Sequence, residues 1–140
     1  MIVLDTNVVS EMMKPADRRA AAVVEWLDRQ PGERLFTTTI TMGEIRAGLA
    51  IMPDRHQRTE KRAAAEQLLA LFAGRVLPFD MASTHHYGES VTIRLRAAKS
   101  IDAFDLLIAA IARSNSMAVA TRNVVDFEDC GVDLIDPWEA

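Results

Sequence analysis

"MIVLDTNVVSEMMK" (1–14) is the stretch that decides the fold. Ile2, Val3 and Leu4 run directly into Asp5, Thr6 and Asn7, and an apolar pair, Val8 and Val9, resumes before Ser10 and Glu11. An apolar triplet with no polar alternation reads as a short strand buried on both faces. The carboxylate at its end is then the anomaly. A charge beside a buried strand costs free energy unless it is paired, and no Lys or Arg stands close to Asp5 in the sequence to pair with it. Glu11 lies two turns down the helix that follows and reads as a surface or interface residue.

Outward from this stretch, strands and helices alternate. "AAAVVEWLDR" (20–29) has helical spacing, with Val23, Trp26 and Leu27 on one face. Pro31-Gly32 makes a turn and "RLFTT" (34–38) extends. A helix then runs through Glu44 to about Ala50, and Pro53 breaks the chain. "RTEKRAAAEQLLALFA" (58–73) is a long helix ending at Gly74, and "RVLPF" (75–79) is a third strand. Asp80 or Ser83 caps a helix reaching roughly Lys99. "DAFDLLIAAIARSN" (102–115) is an apolar, buried helix. "MAVAT" (117–121) and "GVDLID" (131–136) are the fourth and fifth strands, the last stopped by Pro137. This alternation implies a parallel sheet of four or five strands covered on both faces. In such sheets the site lies at the carboxyl ends of the strands.

The bulk numbers agree with one domain spanning 1–140. The chain has 140 residues, 49% hydrophobic and 26% charged, within the range of globular domains. No apolar run approaches the roughly 20 residues of a membrane span, and no leader is visible, so a cytoplasmic protein without membrane contact is the simplest reading. A single cysteine, Cys130, excludes an internal disulfide framework and a Cys-rich zinc site. The net charge of −4 argues mildly against a nucleic-acid partner. Its distribution weakens that argument: the six acids from Asp126 to Glu139 have no basic residue among them. Basic residues gather at Arg55, Arg58, Lys61 and Arg62, and again at Arg94, Arg96 and Lys99. Singly, each such charge reads as part of a solvated helix face.

The acids at strand ends carry the chemistry. Asp5 follows the first strand, Glu44 sits early in the helix after the second, Asp102 and Asp105 open the apolar helix, and Thr121, Asn123 and Asp126 follow the fourth strand. Each acid also has a local reading. Thr41 to Glu44 fits a capping box, Asp102 fits an N-cap with Asp105 at its third position, and Asp5 and Asp126 fit caps of following helices. Together the acids are harder to explain as caps. Carboxylates converging on one sheet edge repel and raise each other's pKa, and a divalent cation removes that penalty. Oxygen ligands without sulfur select Mg²⁺ or Mn²⁺. Such a cation lowers the pKa of bound water and stabilises charge on a phosphoryl oxygen, which makes phosphodiester hydrolysis the natural reaction. Asp105 is the favoured ligand of the 102/105 pair, with Asp102 as a cap or outer group.

"LDTNVVSE" (4–11), "TITMGEIRAGL" (39–49), "DLLIAAIA" (105–112), "ATRNVVDF" (120–127) and "GVDLIDPW" (131–138) together resemble the PIN-domain ribonucleases, and among them the VapC/FitB type of toxin from toxin–antitoxin pairs. Each motif alone is weak, but five in order from Met1 to Trp138 are specific. The resemblance implies an α/β/α sandwich and Mg²⁺- or Mn²⁺-dependent endoribonuclease activity. It places the metal-binding catalytic acids at Asp5, Glu44 and Asp105. Some relatives carry the fourth acid in "TRD" or "TRN", here Asn123, and others in the later "DF", here Asp126; Asp126 is chosen, with Asn123 as a neutral neighbour. Thr6, Asn7 and Thr121 match polar residues that orient ligands. Arg46 and Arg122 either bind substrate phosphate or neutralise the acids.

The same resemblance implies a cognate antitoxin, a homodimer, and a partner-binding helical arm within 51–71. His85 and His86, adjacent on a helix, make a poor metal pair, and Trp26 and Trp138 read as packing anchors. Two other readings stand beside the nuclease. One is a non-catalytic module acting with a DNA-binding antitoxin as transcriptional co-repressor. The other is an aspartyl-phosphate at Asp5, disfavoured because Asn7 stands where a second Asp belongs and no suitable lysine sits at a later strand end.

Overall fold

A computed structural model describes residues 1–140. Five strands form one parallel sheet: β1 (Ile2–Leu4), β2 (Leu35–Thr38), β3 (Val76–Leu77), β4 (Ala118–Ala120) and β5 (Leu134–Ile135), in the order β3-β2-β1-β4-β5. Every pairing is parallel, with Val3 opposite Phe36 on one side and Val119 on the other. Seven helices connect the strands: α1 (Thr6–Met13), α2 (Ala21–Asp28), α3 (Thr39–Ala50), α4 (Arg55–Leu71), α5 (Met81–Arg96), α6 (Ala103–Ser114) and the single turn α7 (Val124–Phe127).

The period of two along a strand builds two cores from one sheet. Val3 and Val119 face a cluster with Leu106, Ile108, Ala109 and Phe127, against α5 and α6. Leu4 and Ala120, the next residue of each strand, face the opposite cluster with Val8 and Val9 of α1, Trp26 of α2, Leu68 of α4 and Phe72 just after it. The result is the three-layer α/β/α sandwich that the alternation of strands and helices predicts. Burying each of the larger aliphatic side chains contributes roughly 1.5–3 kcal/mol, so α6, with Leu106, Ile108 and Ile111 fully buried, is a principal anchor.

Helix starts follow their capping residues. Asp5, Thr38, Asp54, Asp80 and Asp102 each accept a backbone N–H of the helix they precede. Between the two candidates for α5, Asp80 is the cap and Ser83 its donor. The capping box at Thr41–Glu44 does not form. Thr38 caps α3 three residues earlier than that reading requires, which leaves the Glu44 carboxyl free for other contacts.

Glu11, expected at the surface or at an interface, is instead buried within the chain. It is 6% exposed, and its carboxylate accepts the Ala20 N–H at 2.6 Å and the Lys14 ammonium at 2.6 Å. The chain turns between α1 and α2 here, and Glu11 supplies the acceptor for the backbone entering α2. Arg94 also departs from the solvated basic face. It is 1% exposed, on the inner stripe of α5 with Ser83 and Ser90.

Candidate active site

The strand order reverses between β1 and β4, which makes their carboxyl ends the switch point where α/β sheets open a crevice. Asp5 leaves β1 here and Thr121 leaves β4. The Asp5 amide donates to Ala120 O at 3.0 Å, so the two strand ends are locked side by side.

Asp5 is held by three donors. Its Oδ1 accepts the Thr6 N–H at 2.7 Å, and its Oδ2 accepts Thr121 Oγ1 at 2.7 Å and Asn7 Nδ2 at 3.0 Å. An ionised carboxylate offers about four acceptor directions, so this one is oriented and still has capacity. Asp5 is therefore both a cap and a site acid; the two readings are not exclusive. The net continues outward. Asn7 Nδ2 also donates to Thr121 Oγ1 at 3.3 Å, the Asn123 N–H donates to the same oxygen at 3.0 Å, and the Arg122 N–H donates to Asn7 Oδ1 at 3.3 Å.

Glu44 enters through Thr6, whose hydroxyl donates to Oε1 at 2.7 Å. Thr6 Oγ1 also lies 3.1 Å from Thr41 Oγ1, on the first turn of α3. Thr41 is a participant that the motifs did not single out, although its place three residues before Glu44 puts both on one helix face. Asp102 caps α6 through the Phe104 and Asp105 N–H groups. That leaves Asp105, 9% exposed, as the buried acid of the pair. Asp126 lies within α7; Asn123 precedes that turn without a side-chain cap bond.

Electrostatics gather these acids into one field. Burial pushes the Asp105 carboxyl up to about 7, and the charges of Asp5, Asp102, Asp126 and Glu44 all push the same way. Asp5 rises to about 6, again through burial first; the Thr121 and Thr6 bonds oppose the rise, and Glu44 and Asp102 add to it. No ion pair in the chain involves Asp5, Glu44, Asp102, Asp105 or Asp126. Neither candidate arginine neutralises them by contact. Arg46 pairs with Glu66 of α4 at 3.7 Å, and the Arg122 guanidinium lies over the Trp138 ring at 5.3 Å.

The donor set is all oxygen and carries no protein cation, which suits a hard divalent ion. As placed, no three of these side chains close around a common point. The histidines lie elsewhere: His85 and His86 both approach Glu89, at 3.0 and 3.7 Å, which also pairs with Arg113 at 2.8 Å.

The PIN domain family model matches residues 2–130. The chain belongs to the PIN-domain family, VapC/FitB type. It is 45% identical to VapC ribonuclease Y4jK of Sinorhizobium fredii, over 99% of each chain. It is 37% identical to Toxin FitB of Neisseria gonorrhoeae, again over 99% of each. Among solved structures, FitAcB from Neisseria gonorrhoeae matches this PIN domain with a TM-score of 0.91 and 37% identity, over 100% of both chains. FitAB bound to an IR36 DNA fragment matches with a TM-score of 0.89 and 38% identity, covering 99% of this chain and 96% of that one.

Proposed function

We propose that this PIN domain is a Mg²⁺- or Mn²⁺-dependent endoribonuclease, the toxin of a type II toxin–antitoxin pair. The observation that carries the reading is a group of mutually repelling carboxylates at the β1/β4 switch point with no protein cation among them. Asp5, Glu44, Asp105 and Asp126 would hold the ion. When bound, it supplies an acidified water and stabilises charge on the scissile phosphate.

The chain's own residues supply orientation. Thr121, Asn7 and the Thr6 N–H fix the Asp5 carboxylate, and the Thr6 hydroxyl fixes Glu44. Asp105 is poised to take up a proton near neutral pH whenever its charge is uncompensated. An open cleft of about 1040 Å³ begins at Thr6 and Glu44, and its walls carry Lys14, Arg18 and Lys61. Lys14 is tied to Glu11, so Arg18 and Lys61 are the cations for an RNA backbone entering this way. Arg122, exposed beside Thr121, is a second phosphate contact; Arg46, turned to Glu66, is a weaker one.

The antitoxin would seat in the adjoining groove of about 250 Å³ between α1, α3 and α4, lined by Val9, Met13, Met42, Ile45, Leu49 and Leu68. An amphipathic helix is the segment that fills such a groove. Exposed Met81, Leu95 and Leu71 offer apolar surface to a second copy in a homodimer. The alternative, a co-repressor without catalysis, draws support from the DNA-bound FitAB relative; co-repression by a toxin that also cleaves is a third, compatible case. No helix is long and apolar enough to cross a membrane.

Cleavage of RNA with Mg²⁺ by the antitoxin-free protein, compared with Asp5→Asn, tests the reading. Equal cleavage by both proteins rejects the nuclease. Loss of residues 51–62 without loss of antitoxin capture rejects that segment's part in binding.

A further inference from the structure

Arg94 is among the largest fully buried side chains, and no carboxylate pairs with it. A buried guanidinium is costly unless its donors are used. Here they are spent on main chain: Nε donates to Ser100 O at 2.8 Å, and Nη1 donates to Glu128 O at 3.0 Å and Val125 O at 3.3 Å. Ser100 stands two residues before Asp102, the cap of α6. Val125 and Glu128 bracket Asp126. Lys99 makes a second link at the same junction, its Nζ 2.6 Å from Asp129 Oδ2 and 3.3 Å from Glu128 Oε2.

α7 is one turn of four residues. A helix that short has no stability of its own, so its place is set from outside. The bonds from Arg94 and Lys99 do this by tying the α7 turn to the α5–α6 connection. We infer that Arg94, aided by Lys99, is a positioning residue that fixes the Asp126 turn against the Asp102–Asp105 end of α6. Lysine is a poor substitute for Arg94, since one compact ammonium does not span carbonyls of two segments as the planar fork does. The acids of the site do not bond Arg94, so it acts by placing their backbones.

The consequence for metal binding rests on the nuclease reading above, and the test separates the two. Mg²⁺ affinity is measured by calorimetry on the wild type, Arg94→Lys, Lys99→Ala and Val23→Ala, a core truncation remote from the junction. Backbone hydrogen exchange is followed in parallel. The expected result is Mg²⁺ binding weakened about tenfold or more in Arg94→Lys and about threefold in Lys99→Ala, with Val23→Ala within about twofold of wild type despite a lower Tm. Exchange at 99–103 and 124–128 quickens in the first two and not in Val23→Ala. Arg94→Lys and Lys99→Ala both binding within about twofold of wild type overturns the inference. If Arg94→Lys does not fold, Lys99→Ala decides by the same criterion. If the wild type binds no Mg²⁺, the metal reading fails, and exchange at the two segments in Lys99→Ala decides the clamp: faster sustains it, unchanged overturns it.

Discussion

Thr121 Oγ1 donates a 2.7 Å hydrogen bond to Asp5 Oδ2, joining residues 116 positions apart in the chain. It adds a side-chain link to the backbone bond from the Asp5 amide to Ala120 O, and it fixes which way the Asp5 carboxylate faces. Removing the hydroxyl leaves a buried carboxylate short of a donor. Thr121→Val is expected to weaken Mg²⁺ affinity and RNA cleavage by about 10–100-fold, as loss of a ligand's orienting partner does. Thr121→Ser should restore most of both. A Val variant that cleaves at the wild-type rate at limiting Mg²⁺ would show that the bond does not orient the acid.

Asp105 gives a stability prediction with a definite sign. Its carboxyl titrates at about 7 in the fold against an ordinary 3.8. Well below the ordinary 3.8 both folded and unfolded chains hold the proton, and the group costs little. Between about 4 and 7 the unfolded chain ionises first, so stability falls as pH rises. Above 7 the full penalty is present. Asp105→Asn should therefore stabilise the fold at pH 8 by a free energy on the order of 2–4 kcal/mol, read as a higher Tm, with little gain at pH 4. Added Mg²⁺ should stabilise the wild type at pH 8 more than the variant. Thermal unfolding at the two pH values checks this; an equal gain at both would exclude the charge as cause.

Glu11 behaves in the opposite sense. Burial raises its pKa, but the Lys14 and Ala20 donors outweigh burial and hold it below its ordinary value. Its stabilisation is thus present at neutral pH and lost as pH falls below the usual glutamate range. Glu11→Ala should destabilise the fold by about 1–2 kcal/mol at pH 7, and by less at pH 3. Denaturant melts at both values measure the difference, and a loss independent of pH would assign it to packing instead.

The Thr6 hydroxyl links the first acid's helix to Glu44 on α3. Thr6→Val keeps the shape and removes the donor. Cleavage should fall about tenfold at limiting Mg²⁺ with melting temperature little changed, and recover as Mg²⁺ is raised. A drop that saturating Mg²⁺ fails to recover would place Thr6 in the chemical step rather than in orienting Glu44.

The parallel sheet was legible because β1 has no polar alternation and because helical periods separate each apolar run. The position of the first acid was legible for the same reason: Asp5 ends a buried strand with no Lys or Arg near it in the sequence, although it also caps α1. Glu11 and Arg94 were not. Both are charged residues on helices, and charge alone argues for solvent. Burial came from partners that periodicity does not reveal, the Ala20 N–H for Glu11 and three carbonyls for Arg94. A signal did exist for Arg94, since Ser83, Tyr87, Ser90 and Arg94 share a helical stripe. The local cap readings divided by geometry: Asp102 and Asp5 do cap, whereas Thr38 displaced the Thr41–Glu44 box.

The order in which the chain is made gives the switch point a further meaning. β1 is made well before its neighbour β4, which comes only at Ala118–Ala120. Until then Asp5 has neither Ala120 O for its amide nor Thr121 for its carboxylate, and Asp126 does not yet exist. Closing β1 against β4 is a long-range step of the kind that comes late in folding. A chain cut before β4 therefore has no complete acid edge, and any activity that depends on it begins only once β4 and α7 have been made and β4 has closed against β1.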